Sequence, residues 1–247
     1  MLLKGKYQIL FIVFLSVGLL SCRKDSACLK GTGKIITEQR VISSDVTSIK
    51  TKDNIDIVIT YSNEPSLRIE AGENLIPFIN TDISDGELSL SSDNKCSMLR
   101  NYDTPIVVYV SLPNLTNIDY TGQGIITSSN TLNYSDFTFE TRNGTGSINL
   151  DLNSTNVSII QHTGPADITL TGTTNNLYAY SGRQGWQYLN NISANNVHVN
   201  NAGSGDIIVR AINNLLVELT YIGNIDYYGS PNVIVSVHTG SGELRKK

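Results

Sequence analysis

The sequence predicts an all-β chain wound as a right-handed parallel β-helix, or β-solenoid, with an irregular N-terminal β-cap. Three observations predict it. The first is a glycine-marked phrase that recurs down the second half: Tyr120-Thr121-Gly122-Gln123-Gly124, Arg142-Asn143-Gly144-Thr145-Gly146, His162-Thr163-Gly164-Pro165-Ala166, Tyr180-Ser181-Gly182-Arg183-Gln184, Asn201-Ala202-Gly203-Ser204-Gly205, Tyr221-Ile222-Gly223-Asn224-Ile225 and His238-Thr239-Gly240-Ser241-Gly242. The leading glycines stand 22, 20, 18, 21, 20 and 17 residues apart. A unit of about 20 residues cannot bury its own apolar face and must lay it on a neighbour. The second observation is that the residue four past each leading glycine is apolar or aromatic: Ile126, Ile148, Ile168, Trp186, Ile207, Tyr227 and Leu244. These are expected to stack inward as one column. The third is composition: glycine, asparagine, serine and threonine abound, and no stretch of the body carries a helical period.

Residues 1–21 read as a signal peptide. Lys4 and Lys6 precede an apolar run from Ile9 to Leu20, and the segment closes on Leu19-Leu20-Ser21-Cys22. That ending resembles the bacterial lipobox, which makes Cys22 the expected site of lipidation. A run of about twelve apolar residues is short for a membrane span. Residues 22–30 then form a lipidated tether. Removing Lys4 and Lys6 from the 18 basic residues leaves 16 against 22 acidic ones, a net charge of −6. That balance speaks against nucleic acid, which needs a basic stripe. The Arg245-Lys246-Lys247 end reads as a solvated tail. Export places the chain in an oxidising compartment, so Cys28 and Cys96 are expected to form a disulfide. It closes a long loop and contributes about 2–4 kcal/mol in the chain-entropy picture.

The folded part runs over 31–247, divided into an N-terminal β-region (31–113) and repeat coils (114–247). Strands are expected over Ile35–Val46 and Ile49–Tyr61, with Ile55, Ile57 and Ile59 alternating with more polar neighbours. Asn63-Glu64-Pro65-Ser66 is a turn, Leu67–Glu70 the returning strand, and Asp85-Gly86 a hairpin signal. Asn74–Asn80, around Pro77, is either one helical turn or an irregular crossing. Ser91–Thr104 is a loop, and Ile106–Val110 a buried strand punctuated by Pro113. From Leu115 each coil is a strand, a glycine turn and another strand. The glycines suit a corner that needs positive φ or close approach between coils. Where the second glycine is missing, at Ala166, Gln184 and Ile225, the coil is expected to bulge.

The opening Gly31-Thr32-Gly33, the strand Asn54–Ile59, the phrase Asp85-Gly86-Glu87-Leu88 and the serial glycine turns together resemble the bacterial head GIN domain family, described as auto-transporter adhesins. The resemblance spans about residues 31–247. It implies a β-solenoid on the cell envelope, often on a lipoprotein, and it carries no established catalytic or ligand residues. The auto-transporter half of the description finds no translocating barrel segment in this sequence.

Two residues before each leading glycine stand Tyr120, Arg142, His162, Tyr180, Asn201, Tyr221 and His238. Facing outward, they would make a ribbon of rings and donors at the strand spacing of about 4.8 Å, suited to glycan. Facing inward, they would support the turns. Asp167, Asp206, Asp226 and Glu243 follow three residues after a glycine. They read as solvated turn acids rather than a calcium column, so no metal and no cofactor are expected. Catalysis is not expected either: the acids are scattered, His162, His198 and His238 fall in different coils, and no nucleophile or phosphate motif is present. The sequence therefore points to a non-catalytic envelope lipoprotein of the outer membrane, on an undetermined side, that binds a glycan or a protein. The alternatives are a structural or sensory envelope protein docking another protein and, below that, a carbohydrate-active enzyme.

Overall fold

The computed structural model describes residues 31–94 and 105–247. The leader, the tether and the cysteines Cys22, Cys28 and Cys96 lie outside the described residues, so the lipid and disulfide expectations do too. In chain order the first strands are β1 (Ile35–Arg40), β2 (Ser48–Thr51), β3 (Asp56–Tyr61), β4 (Ser66–Gly72), β5 (Ile79–Ser84), β6 (Glu87–Ser92) and β7 (Val107–Leu112). There follow β8 (Asn117–Tyr120), β9 (Ile126–Ser128), β10 (Asp136–Thr141), β11 (Ser147–Gln161), β12 (Asp167–Ser181), β13 (Gln187–Asn201), β14 (Ile207–Leu219), β15 (Ile225–Tyr228), β16 (Asn232–His238) and β17 (Leu244–Lys246).

The chain is a β-solenoid. Each rung carries a strand before the glycine corner and a strand after it, and each strand pairs in parallel with its counterpart one rung away. The pre-corner column runs β6, β2, β8, β10, then the second halves of β11 to β14, then β16. The post-corner column runs β7, β3, β9, the first halves of β11 to β14, β15 and β17. Parallel stacking satisfies the backbone ladders of every interior rung, and the period of two sends alternate side chains into one shared core. Phe137 and Phe139, Val157 and Ile159, Leu177 and Ala179, and Val197 and Val199 are all buried there.

The N-terminal region is more than a cap. The expected strand Ile49–Tyr61 is broken by a corner at Asp53, whose φ of 66° makes the turn that glycines make elsewhere. The resulting β2–β3 rung sits inside the stack, between β6–β7 on one side and β8–β9 on the other. The capping is done by antiparallel strands: β4 lies on β7, β1 on β4, and β5 returns into β6. That hairpin turns at Asp85 and Gly86, with φ of 50° and 77°. The segment around Pro77 is a short 3-10 turn, Ile76–Phe78.

The inner column differs from expectation at two rungs. Ile126, Ile148 and Ile168 align, but the next residue in register is Gln187, not Trp186; then come Ile207, Ile225 rather than Tyr227, and Leu244. Trp186 is 41% exposed, whereas Gln187 and Ile225 are fully buried. The cause is spacing. Gly182 stands three residues before Gly185, the glycine that meets the preceding rung at the Ala166 carbonyl, where Gly144 stands two before Gly146, and a miscount of one residue exchanges the two faces of a strand. At Gly223 the leading glycine stacks where Gly205 does, which moves the column two positions forward.

Close approach explains most of the corner glycines. A β-carbon on Gly124 would strike the Ile55 carbonyl, one on Gly146 the Gly124 carbonyl, and one on Gly205 the Gly185 carbonyl. Of the corner glycines only Gly164 (φ 96°) and Gly185 (φ 100°) also use the left-handed region, which Asp53 and Asn143 enter at other corners. The expected bulge at Ala166 does not occur, because β11 and β12 pair without a slip from Ser147↔Asp167 onward. The coil carrying Gln184 is irregular as expected: register shifts follow between Thr169 and Thr171 and after Leu189.

Candidate ligand-binding face

The seven residues standing two before the leading glycines do not form one ribbon, because the glycines themselves are not all equivalent. The register places Thr51, Tyr120, Thr141, Gln161, Ser181, Asn201, Leu219 and His238 in one column at the end of the pre-corner strand. From Thr51 to Leu219 that column is buried. Four of its polar members, Tyr120, Gln161, Asn201 and His238, tie down their own corners. The Tyr120 hydroxyl donates to the Gly124 carbonyl at 2.8 Å and accepts from the Gly146 N–H at 3.0 Å. Gln161 Nε2 donates to the Ala166 carbonyl at 2.7 Å, and Asn201 Nδ2 to the Gly205 carbonyl at 3.0 Å. His238 Nε2 lies 2.9 Å from the Gly242 carbonyl oxygen. Burial pushes the Tyr120 hydroxyl up to about 12. Tyr120 thus faces inward, and Tyr221 is exposed at a separate corner.

The structure does bring Arg142, His162 and Tyr180 together. They lie on or beside the outer face of the pre-corner sheet, around Glu140. Arg142 Nη2 reaches Glu140 Oε1 at 2.5 Å and His162 Nε2 lies 2.8 Å from the same oxygen. The rings of His162 and Tyr180 pack edge to face with centroids 5.8 Å apart. Two residues along the strand, on the same face, the Tyr178 and His198 rings lie 5.1 Å apart, and His198 Nε2 meets Glu218 Oε1 at 2.8 Å. Asn200 Nδ2 donates to the other oxygen of Glu218 at 2.9 Å. Burial, and then the Glu218 charge, raise the Tyr178 hydroxyl above its ordinary value. The outcome is a patch of four rings held by two carboxylates, continuous over several rungs.

A shallow groove of about 390 Å³ runs beside this patch, lined by Tyr178, Asn196, His198, Leu216 and Ile234 among others. Its far edge is a feature the sequence reading missed. Asp136, Asn156, Asn176, Asn196, Asn214 and Asn232 occupy the same position in successive rungs. From Asn156 to Asn214 each side-chain amide donates to the residue one rung before: Asn156 to Asp136 at 2.6 Å, Asn176 to Asn156 at 2.8 Å, Asn196 to Asn176 at 3.1 Å and Asn214 to Asn196 at 2.8 Å. Beyond this ladder a second groove of about 490 Å³ is lined by amides and hydroxyls, including Asn133, Asn153, Thr173 and Ser193. The signal was present as asparagines spaced 20, 20, 18 and 18 residues apart from Asn156 to Asn232.

The acids resolve differently from the solvated set expected. Asp206 and Asp226 are nearly buried, and Arg245 bridges them, with Nη2 3.0 Å from Asp206 and Nε 2.6 Å from Asp226. Lys247 adds a contact to Asp226 at 3.3 Å. The basic end is therefore a clamp across three rungs, not a free tail. Among the described residues no three His, Cys, Asp or Glu side chains are grouped as a metal would need. On the ring-bearing face, Glu140 and Glu218 share one column four rungs apart, on the order of 19 Å at the strand spacing. A glycosidic acid–base pair stands no more than about 9.5 Å apart.

A stacked solenoid whose outer faces carry grooves, rings and paired charges defines a class of repetitive surface-presenting proteins. A family model described as "Putative auto-transporter adhesin, head GIN domain" matches residues 45–231, and the chain belongs to that family. No curated protein sequence matches it. Among solved structures it is similar to a "putative adhesin" of Bacteroides fragilis, at 23% identity and a TM-score of 0.80, covering 88% of this chain and 100% of that one. A "putative adhesin" of Parabacteroides merdae (20% identity, TM-score 0.68) covers 89% and 98%. A "Putative lipid binding protein" of Parabacteroides distasonis (20% identity, TM-score 0.68) covers 88% and 100%. At these identities the likeness shows the fold.

Proposed function

We propose that the chain is a non-catalytic cell-envelope protein, held in the outer membrane by lipid on Cys22, that binds a glycan or protein ligand on the outer face of its pre-corner sheet. The observation that supports this reading is the assembly of Arg142, His162, Tyr178, Tyr180 and His198 on one open face beside a groove. Rings give a sugar's apolar faces something to lie on, and Glu140, Glu218 and Asn200 supply hydrogen-bond partners for its hydroxyls. The adhesin description of the family agrees with it. The Cys28–Cys96 bridge belongs to the same proposal, as does the division into leader (1–21), tether (22–30) and domain (31–247).

Replacing Tyr178 and Tyr180 together by alanine is expected to abolish binding to the hits of a glycan array while the β-type circular dichroism spectrum stays intact. Unchanged binding by that variant counts against this face. Cys22→Ala is expected to move the protein from the membrane fraction to the soluble one. Protease shaving of intact cells then reports which side it occupies, and the docking of another envelope protein is the second reading it bears on.

A further inference from the structure

We propose that Trp186 and Tyr188 form a separate sugar-binding subsite, on the outer face of the post-corner sheet, that stacks on the pyranose rings of a neutral glycan. Trp186 is the only tryptophan in the chain. The coil that carries it departs from the two before it in two ways. Its corner turns through Gly185 at a φ of 100° and is one residue shorter than theirs, and the core column then receives Gln187 where the preceding rungs place isoleucine. Gln187 is wholly buried and its Oε1 finds no partner among the described residues. An unpaired buried acceptor costs about 1–3 kcal/mol, and departures of this kind from core patterning concentrate at functional sites.

The exposed ring lies near-parallel to Tyr188, with centroids 6.0 Å apart and 14° between planes. The Trp186 N–H is fixed to Asp167 Oδ1 of the neighbouring rung at 3.2 Å, and its carbonyl accepts from the Ile168 N–H at 2.9 Å, so the backbone beneath the ring is held. Around the pair stand Arg183, Gln184 and Asp167, all exposed. Tyr188 has Thr169 and Ile208 as its neighbours across the rungs. A protein hot spot would need a wider apolar surround to exclude water. Two rings inside a border of hydrogen-bonding groups match a sugar, apolar on its faces and polar on its rim.

The single tryptophan makes the test direct. Full-length folded protein is titrated with neutral hexasaccharides of glucose, mannose and galactose while tryptophan emission is followed. A saturable change in emission with at least one of them is expected. By a calorimetric readout, affinity is expected to fall about tenfold or more in Trp186→Ala and to persist in Trp186→Phe, since a ring stacked on a sugar is worth roughly a tenfold factor. Trp186→Ala should leave the melting temperature nearly unchanged because the side chain is exposed. Binding that survives Trp186→Ala, or emission that none of the sugars alters, overturns the subsite. So does loss of adhesion to a protein ligand in Trp186→Ala without any sugar response. The Tyr178/Tyr180 double variant separates this site from the pre-corner face: it should retain the emission change whatever becomes of the other reading.

Discussion

Tyr120 shows how much one buried hydroxyl can hold. Its oxygen joins two successive corners, giving to Gly124 and taking from Gly146. Tyr120→Phe leaves both backbone groups without that partner, and a loss of about 1–3 kcal/mol in chemical denaturation is expected. The same residue sets an alkaline limit. Its value is raised from 10.0 to about 12 by burial, so the folded state keeps the proton longer than the unfolded chain does. The stability it contributes is complete below pH 10 and is lost as the pH climbs through 12. A pH series of melting temperatures should fall across that window, and Tyr120→Phe should flatten the fall. Residue positions were legible in sequence wherever the leading glycine stood two residues before the one that stacks on the preceding rung, as Gly122, Gly144 and Gly203 do. They failed at Trp186 and Gln187 because Gly182 lies one residue further from the stacking glycine Gly185 than Gly144 does from Gly146, and an offset of one residue reverses inside and outside.

At the scale of elements, two devices hold neighbouring rungs together. The glycine corners let backbones meet, so Gly146→Ala, which would press a methyl group into the Gly124 carbonyl and the Tyr120 hydroxyl, is expected to cost about 1–3 kcal/mol as an overpacked site. Gly31→Ala meets nothing within 4 Å and serves as the neutral control. The asparagine ladder is the second device. Asn176→Ala removes the bonds to Asn156 and from Asn196, for an expected loss of about 1 kcal/mol per bond, read as a lower denaturant midpoint. The glycine corners were legible as a repeat. The ladder was equally periodic, yet asparagine carries no hydrophobic signal and so escaped a reading built on apolar spacing. The placement of β2–β3 between β6–β7 and β8–β9 left no such trace, since pairing out of chain order changes no local pattern.

For the molecule as a whole, the two ends are built differently. One is closed by β1, β4 and β5 with Leu67, Ile69, Ile76 and Ile79 buried beneath. At the other, β16 and β17 each pair with one described neighbour only, and Ile234 and Val235 are 54% and 46% exposed. Stability in a stacked array is a sum of rungs and interfaces. Amide exchange is therefore expected to be slowest in β11 to β13 and fastest in β16 and β17. Arg245→Ala should extend the fast region into β14 and β15, because it strands the nearly buried Asp206 and Asp226; unchanged exchange there would show that the clamp holds nothing.

The chain enters at the closed end, where Asn74 Nδ2 donates to the Gly31 carbonyl at 3.0 Å, and the backbone bonds that join rungs all lie along the stack rather than across it. Traction between that end and cargo gripped several rungs away would stretch those bonds along their own length. Because the β2–β3 rung lies between β6–β7 and β8–β9, a pull on the entering chain would have to draw that rung out from between two neighbours before any later turn could uncoil.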